Sequence, residues 1–160
     1  MGAPSLAPAA AAGIKVAIVV GPAGSLTSRY LASARSYADR ARAHGEISVA
    51  NANAPGQIVL SGVIPALVFA LEMSKTVGAR KAARLAVSVA SHSPLMRRAR
   101  DEFGRILAKV PFRDPKVPML GNVHGTVINT ADGLRIELTE HLVHGVQWTT
   151  TVRRMVSDGV

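Results

Sequence analysis

Between residues 14 and 89 the apolar pattern changes period in an order that few folds accommodate. Residues 14–20 are a continuous apolar run, which predicts a buried strand. Residues 25–43 then read as a helix, with Leu26, Tyr30, Ala34 and Tyr37 inward and Arg29, Arg35, Arg40 and Arg42 outward. A second strand is predicted at 46–50, a turn at 51–56 and a third strand at 57–61. Residues 63–77 give another helix, with Val63, Leu67, Leu71, Met73 and Ser74 near its buried side and Gly78 as its cap. A fourth strand follows at 84–89. The order β-α-β-β-α-β is that of the ferredoxin-like unit.

Beyond residue 90 the pattern differs. A longer amphipathic helix is predicted at 94–110, opened by Pro94 and carrying Leu95, Phe103, Ile106 and Leu107. A Pro-punctuated loop follows at 111–118, then a short strand at 117–120. Helices are predicted at 132–144, with Asp132 as N-cap, and at 149–156. These are too few strands for a sheet of their own. The chain therefore divides into a lead-in at 1–12, an inserted subdomain at 13–89 and a piece of its host at 90–160.

Composition narrows the function. Hydrophobic residues are 48% and aromatics only 4%, so the core must be built from Ala, Val, Leu and Ile. No apolar run reaches the roughly 18 residues of a membrane span. The lead-in carries no positive charge and does not read as a secretory signal. With no cysteine there is neither disulfide nor thiol nucleophile, which fits a cytoplasmic protein. A net charge of +9 implies an anionic partner or a solvated basic surface. Nucleic acid gains little support, because no Lys/Arg block of roughly 5–8 residues occurs.

Gly21-Pro22-Ala23-Gly24-Ser25 lies between strand and helix but lacks the lysine of a phosphate loop, so it reads as a turn with an N-cap serine. His141 and His144 are three apart on a predicted helix. With no cysteine and no third ligand they make a poor metal site, and surface or core roles are expected. His124 falls in a loop and His44 near a helix end. The segment from Asn51 through Asn53 and Pro55-Gly56 to Gln57 is a turn by propensity, and also a compact polar donor and acceptor set. His92, between the run Val87–Ala90 and Pro94, sits at the mouth of a strand-to-helix turn. Lone histidines are more often packed or solvated than catalytic.

Taken in order, Asn51-Ala-Asn-Ala-Pro-Gly-Gln-Ile-Val-Leu-Ser-Gly62, Gly78-Ala-Arg-Lys81, Val87 to Met96 and Val146-Gln-Trp-Thr149 resemble malonyl-CoA:acyl-carrier-protein transacylases and polyketide synthase acyltransferase domains. The resemblance covers roughly residues 14–160. It implies a ferredoxin-like subdomain followed by a partial α/β-hydrolase-like subdomain. It also implies malonyl transfer from coenzyme A to acyl carrier protein in fatty acid or polyketide synthesis. By the same carry-over, His92 is the general base; Asn51, Asn53 and Gln57 line the cleft; Arg80 and Lys81 meet coenzyme A phosphates or the carrier. His92's other ring nitrogen is expected on backbone carbonyls. No cofactor is implied beyond the substrate malonyl-CoA and the phosphopantetheine on the partner. The 160 residues hold no Gly-His-Ser-x-Gly nucleophile segment, so a further chain or segment supplying it is an expected partner. The alternative is a non-catalytic module that binds carrier protein or coenzyme A. Val89-Ala-Ser-His92 partly resembles a methylmalonyl-type signature, but small residues here also suit malonyl, which is the expected acyl group.

Overall fold

The computed structural model of the chain describes the backbone of residues 15–20, and residues 35–36, 38–76 and 79–160. The lead-in, the Gly21–Ser25 turn, the first part of the first helix and the Gly78 cap lie outside the described residues.

Strand β1 (Lys15–Val20) is followed by a helix α1, helical at 35–36 and 38–41, which runs into a 3-10 turn at Arg42–His44. Then come β2 (Ile47–Ala54), β3 (Gln57–Gly62), α2 (Ile64–Thr76) and β4 (Lys81–Leu85). The four strands form one sheet in the order β2-β3-β1-β4, with every neighbouring pair antiparallel. The architecture is α/β.

The core is small-residue packing. Ala38 and Ala41 of α1, Ala66, Leu67 and Ala70 of α2, and Ile47, Ile58 and Leu60 of the sheet form one buried cluster. Both helices therefore cover the same face. Alanines at the contact let the helices lie close to the strands, which is how a chain with few aromatics fills its interior. Arg35, Arg40 and Arg42 are exposed, as the helical stripe predicts. Leu26, Arg29, Tyr30, Ala34 and Tyr37, from the same stripe, are outside the described residues.

Two strand boundaries differ from expectation. The predicted turn at 51–56 shrinks to Pro55–Gly56, with Gly56 at φ 80°, and β2 continues through Asn51 to Ala54. Backbone pairing to β3 outweighs the turn propensity of the asparagines, and register shifts at Val49/Asn51 and Ala52/Ala54 absorb the irregularity. The fourth strand lies at 81–85 rather than 84–89. Among the described residues its ladder with β1 ends at the pair of Val16 with Leu85. Val87 and Val89 are left exposed.

The remaining elements are a 3-10 turn (Pro94–Met96), α3 (Arg97–Leu107), β5 (Met119–Leu120), β6 (Val127–Ile128), α4 (Ala131–Glu140) and α5 (Trp148–Ser157). β5 and β6 pair as a two-residue hairpin whose second strand the apolar pattern misses. The N-cap of α4 is Thr130, not Asp132: the Thr130 hydroxyl accepts from the Gly133 N–H at 3.1 Å. Asp132 instead pairs with Arg135. Because α4 stops at Glu140, His141 and His144 do not share a helix face.

The C-terminal segment fastens onto the free edge of β2. The Ala52 N–H donates to the Val146 carbonyl at 3.0 Å, and the Val146 N–H to the Ala50 carbonyl at 2.7 Å. The buried Thr149 hydroxyl donates to the Ala52 carbonyl at 2.9 Å. Gly145 makes this approach possible, since a Cβ there would lie 2.3 Å from the Val49 carbonyl oxygen. Among the described residues no helix is long and apolar enough to cross a membrane.

Candidate active site

His92 is held by the turn on either side of it. Ala90 and Ser93 are fully buried, and the Ser93 hydroxyl donates to the Ala90 carbonyl at 2.7 Å. Pro94 follows at the start of the 3-10 turn, where its missing N–H goes unneeded. His92 itself has φ 62°, the one described non-glycine residue in the left-handed region. That conformation costs about 1–3 kcal/mol and persists only where the surroundings impose it.

Two consecutive carbonyls impose it here. The His92 N–H donates to the Leu142 carbonyl at 3.0 Å, and His92 Nδ1 lies 2.8 Å from the His141 carbonyl oxygen. A carbonyl only accepts, so Nδ1 carries the proton and Nε2 keeps its lone pair. Both carbonyls lie just past the last turn of α4, at the negative end of the helix dipole. The His141 carbonyl oxygen thus fixes the ring's tautomer and orientation, as a carboxylate does for the histidine of a Ser-His-Asp triad.

The His141 ring lies beside that of His92, with centroids 4.7 Å apart and planes 32° from parallel. His141 Nε2 is buried without a hydrogen-bond partner. Burial pulls the His141 pKa below its ordinary 6.5, helped by the neighbouring His92 and opposed by Glu137. Glu140 is engaged elsewhere, by Arg100 of α3 at 3.0 Å and by His144 at 3.2 Å.

The other residues singled out in sequence are partly gathered. Asn51 and Asn53 are half-buried on β2, and Gln57 is half-buried at the start of β3. Among the described residues none of the three hydrogen-bonds to His92. They are linked to it through residues 141–146, whose first two carbonyls hold His92 and whose Val146 bridges to Asn51. Arg80 and Lys81 are exposed at the entry to β4, and no described contact joins them to His92. His44 stacks on Phe69 at 4.3 Å. A cavity of about 250 Å³ lies between α1 and β2, lined by Arg35, Arg42 and Gln147 among others; none of His92, Asn51, Asn53, Gln57, Arg80 and Lys81 lines it. Among the described residues no three His, Asp or Glu side chains gather to hold a metal ion.

Sequence reasoning missed Glu137. Its carboxylate accepts from the Asn122 and Val123 N–H groups and so holds the loop at 121–125 against α4. Helical periodicity marks Glu137 only as a polar position.

No protein-family model matches the chain. Curated relatives do. The malonyl CoA-acyl carrier protein transacylase of Escherichia coli K12 is 40% identical over 114 residues, 71% of this chain and 37% of the relative. Its namesake in Bacillus subtilis is 32% identical over 71% of the chain and 36% of its own length. Among solved structures, the malonyl-CoA:acyl carrier protein transacylase of Xanthomonas oryzae superposes with TM-score 0.82 at 35% identity, covering 94% of this chain and 46% of that one. A malonyl-transacylase in complex with its type II acyl-carrier protein gives TM-score 0.80 at 30% identity over 93% of this chain and 46% of that one. The chain thus spans between a third and a half of the length of these four proteins. Over that span, in sequence and in backbone alike, it belongs to the malonyl-CoA:acyl carrier protein transacylase family.

Proposed function

We propose that these residues form the base-bearing portion of a malonyl transferase that moves malonyl from coenzyme A to the phosphopantetheine thiol of an acyl carrier protein, in fatty acid or polyketide synthesis. The observation that carries the reading is the state of His92: its Nδ1–H is committed to the His141 carbonyl, which leaves Nε2 as a base. A serine hydroxyl attacking the malonyl thioester gives its proton to Nε2, and the imidazolium returns it to the departing coenzyme A thiol. In the second half the carrier's thiol gives its proton to Nε2, attacks the malonyl-serine ester, and the serine oxygen recovers the proton on leaving.

The serine comes from polypeptide beyond these 160 residues, since they contain no Gly-His-Ser-x-Gly. Asn51, Asn53 and Gln57 line the cleft, and Arg80 and Lys81 offer cations to coenzyme A phosphates or to the acidic carrier. No resident cofactor is needed, and the substrates place the reaction in the cytoplasm. The four-stranded order β2-β3-β1-β4 with both helices on one face supports a ferredoxin-like subdomain at 13–89. Residues 90–160 then contribute part of an α/β-hydrolase-like acyltransferase subdomain.

The test is a fusion. The Escherichia coli relative's residues preceding the matched segment are joined in frame to this chain and supplied with labelled malonyl-CoA and holo carrier protein. Label should reach the carrier and should stop doing so on His92→Asn. A soluble, folded fusion without transfer, or transfer by the 160 residues alone, overturns the reading.

A further inference from the structure

His141 brings two separate things to His92. Its carbonyl takes the Nδ1 proton, and its ring lies against the His92 ring at 4.7 Å. The carbonyl would be there with any residue at position 141; the imidazole would not.

The chemistry of that imidazole is constrained by its surroundings. Nε2 is buried and, among the described residues, has no hydrogen-bond partner. A neutral ring can leave a bare lone pair there, whereas an imidazolium would leave a charged N–H unpaired, which is far more costly. The charged groups around it do not change this. Glu137 lies one turn back on α4 and attracts a proton, but it is bonded to the Asn122 and Val123 N–H groups. Glu140 is taken by Arg100 from α3 and by His144. The last face is covered by His92 itself, whose cation opposes a second one at this range.

We propose that the His141 side chain is a positioning residue for His92: its imidazole walls the ring of the base and, having no acceptor for a second proton among the described residues, itself stays neutral. Burial of His141 and the lowering of its affinity for protons act in the same direction. The consequence for transfer rests on the malonyl transferase reading: the base would keep one tautomer and one ring orientation as it cycles between neutral and cationic forms. The physical claim about the pair does not rest on that reading.

The experiment is histidine-selective ¹⁵N NMR of the full chain, titrated through the histidine range, which needs neither carrier nor coenzyme A. In the wild type His92 should show the Nδ1–H tautomer, and since the residue 141 carbonyl sets it, both His141→Phe and His141→Ala should keep it. The His92 ring orientation, read from three-bond couplings, should be kept in His141→Phe, which keeps a ring, and averaged in His141→Ala. His92→Asn should raise the His141 midpoint, because the His92 charge is one of the two causes that lower it, after burial. A His92 ring orientation unchanged in folded His141→Ala, or a His141 midpoint that ignores His92→Asn, overturns the proposal. Should His141→Ala fail to fold, the His92→Asn titration reads the coupling from the other side and decides alone.

Discussion

The carbonyl of His141 and the imidazole of His92 meet at 2.8 Å across 49 residues of chain, and the same backbone turn bonds the His92 N–H through Leu142. His92 thereby closes the end of α4 while keeping the lone pair of its Nε2. Chemistry and architecture share one residue, and the predictions below separate them.

At φ 62° an asparagine is tolerated and an alanine is strained. His92→Asn and His92→Ala should both remove the base, yet differ in stability by about 1 kcal/mol, with asparagine the milder. Urea melts of the two variants check this, and equal midpoints would mean the backbone there is not held as described.

Stability should fall on acidification. The native pKa of His141 is lowered from 6.5, so below that value the unfolded chain binds a proton that the native state refuses. Stability therefore declines as pH drops through 6.5 and levels off once the native pKa is passed. His141→Phe should flatten this part of the profile, measured as urea midpoints at a series of pH values.

Glu137 has a structural task in the loop before α4. Glu137→Gln replaces a carboxylate that accepts two backbone N–H bonds by a weaker acceptor that also brings donors. A loss of about 1–2 kcal/mol is expected, from the worth of hydrogen bonds to a charged group. Hydrogen exchange at Asn122 and Val123 should rise in the same variant.

Arg80 and Lys81 make the proposed docking of the carrier electrostatic. Its affinity should drop steeply between low and physiological salt, where the Debye length shortens to about 8 Å. The double substitution Arg80→Glu with Lys81→Glu should remove most of that salt dependence. Calorimetric titration with holo carrier protein at two ionic strengths reads it directly.

Much of this was legible in the sequence, because period is a local property. The strand at 57–61, the helix over 63–77 and the late helices all fall within a few residues of expectation. Errors occur where pairing decides. Asn51 and Asn53 have the composition of a turn but sit in β2, between β3 and the returning C-terminal segment. Val87 and Val89 look more strand-like than Lys81 and Arg84, yet among the described residues the ladder with β1 spans Lys81 to Leu85. His92 could be singled out from its neighbours and from the family resemblance. His141 could not: it drew attention only as one of a histidine pair, and no local pattern announces a ring contact 49 residues away.

The two rims of the four-stranded sheet are guarded by different means. On one rim, β4 carries the exposed charges Lys81 and Arg84, which discourage another strand from adding on. On the other, the protection is the chain's own residue 146, admitted by the missing side chain of Gly145. A substitution at Gly145 would thus do more than weaken a contact. It would turn the β2 rim into an adhesive surface, and the damage would show first as concentration-dependent self-association.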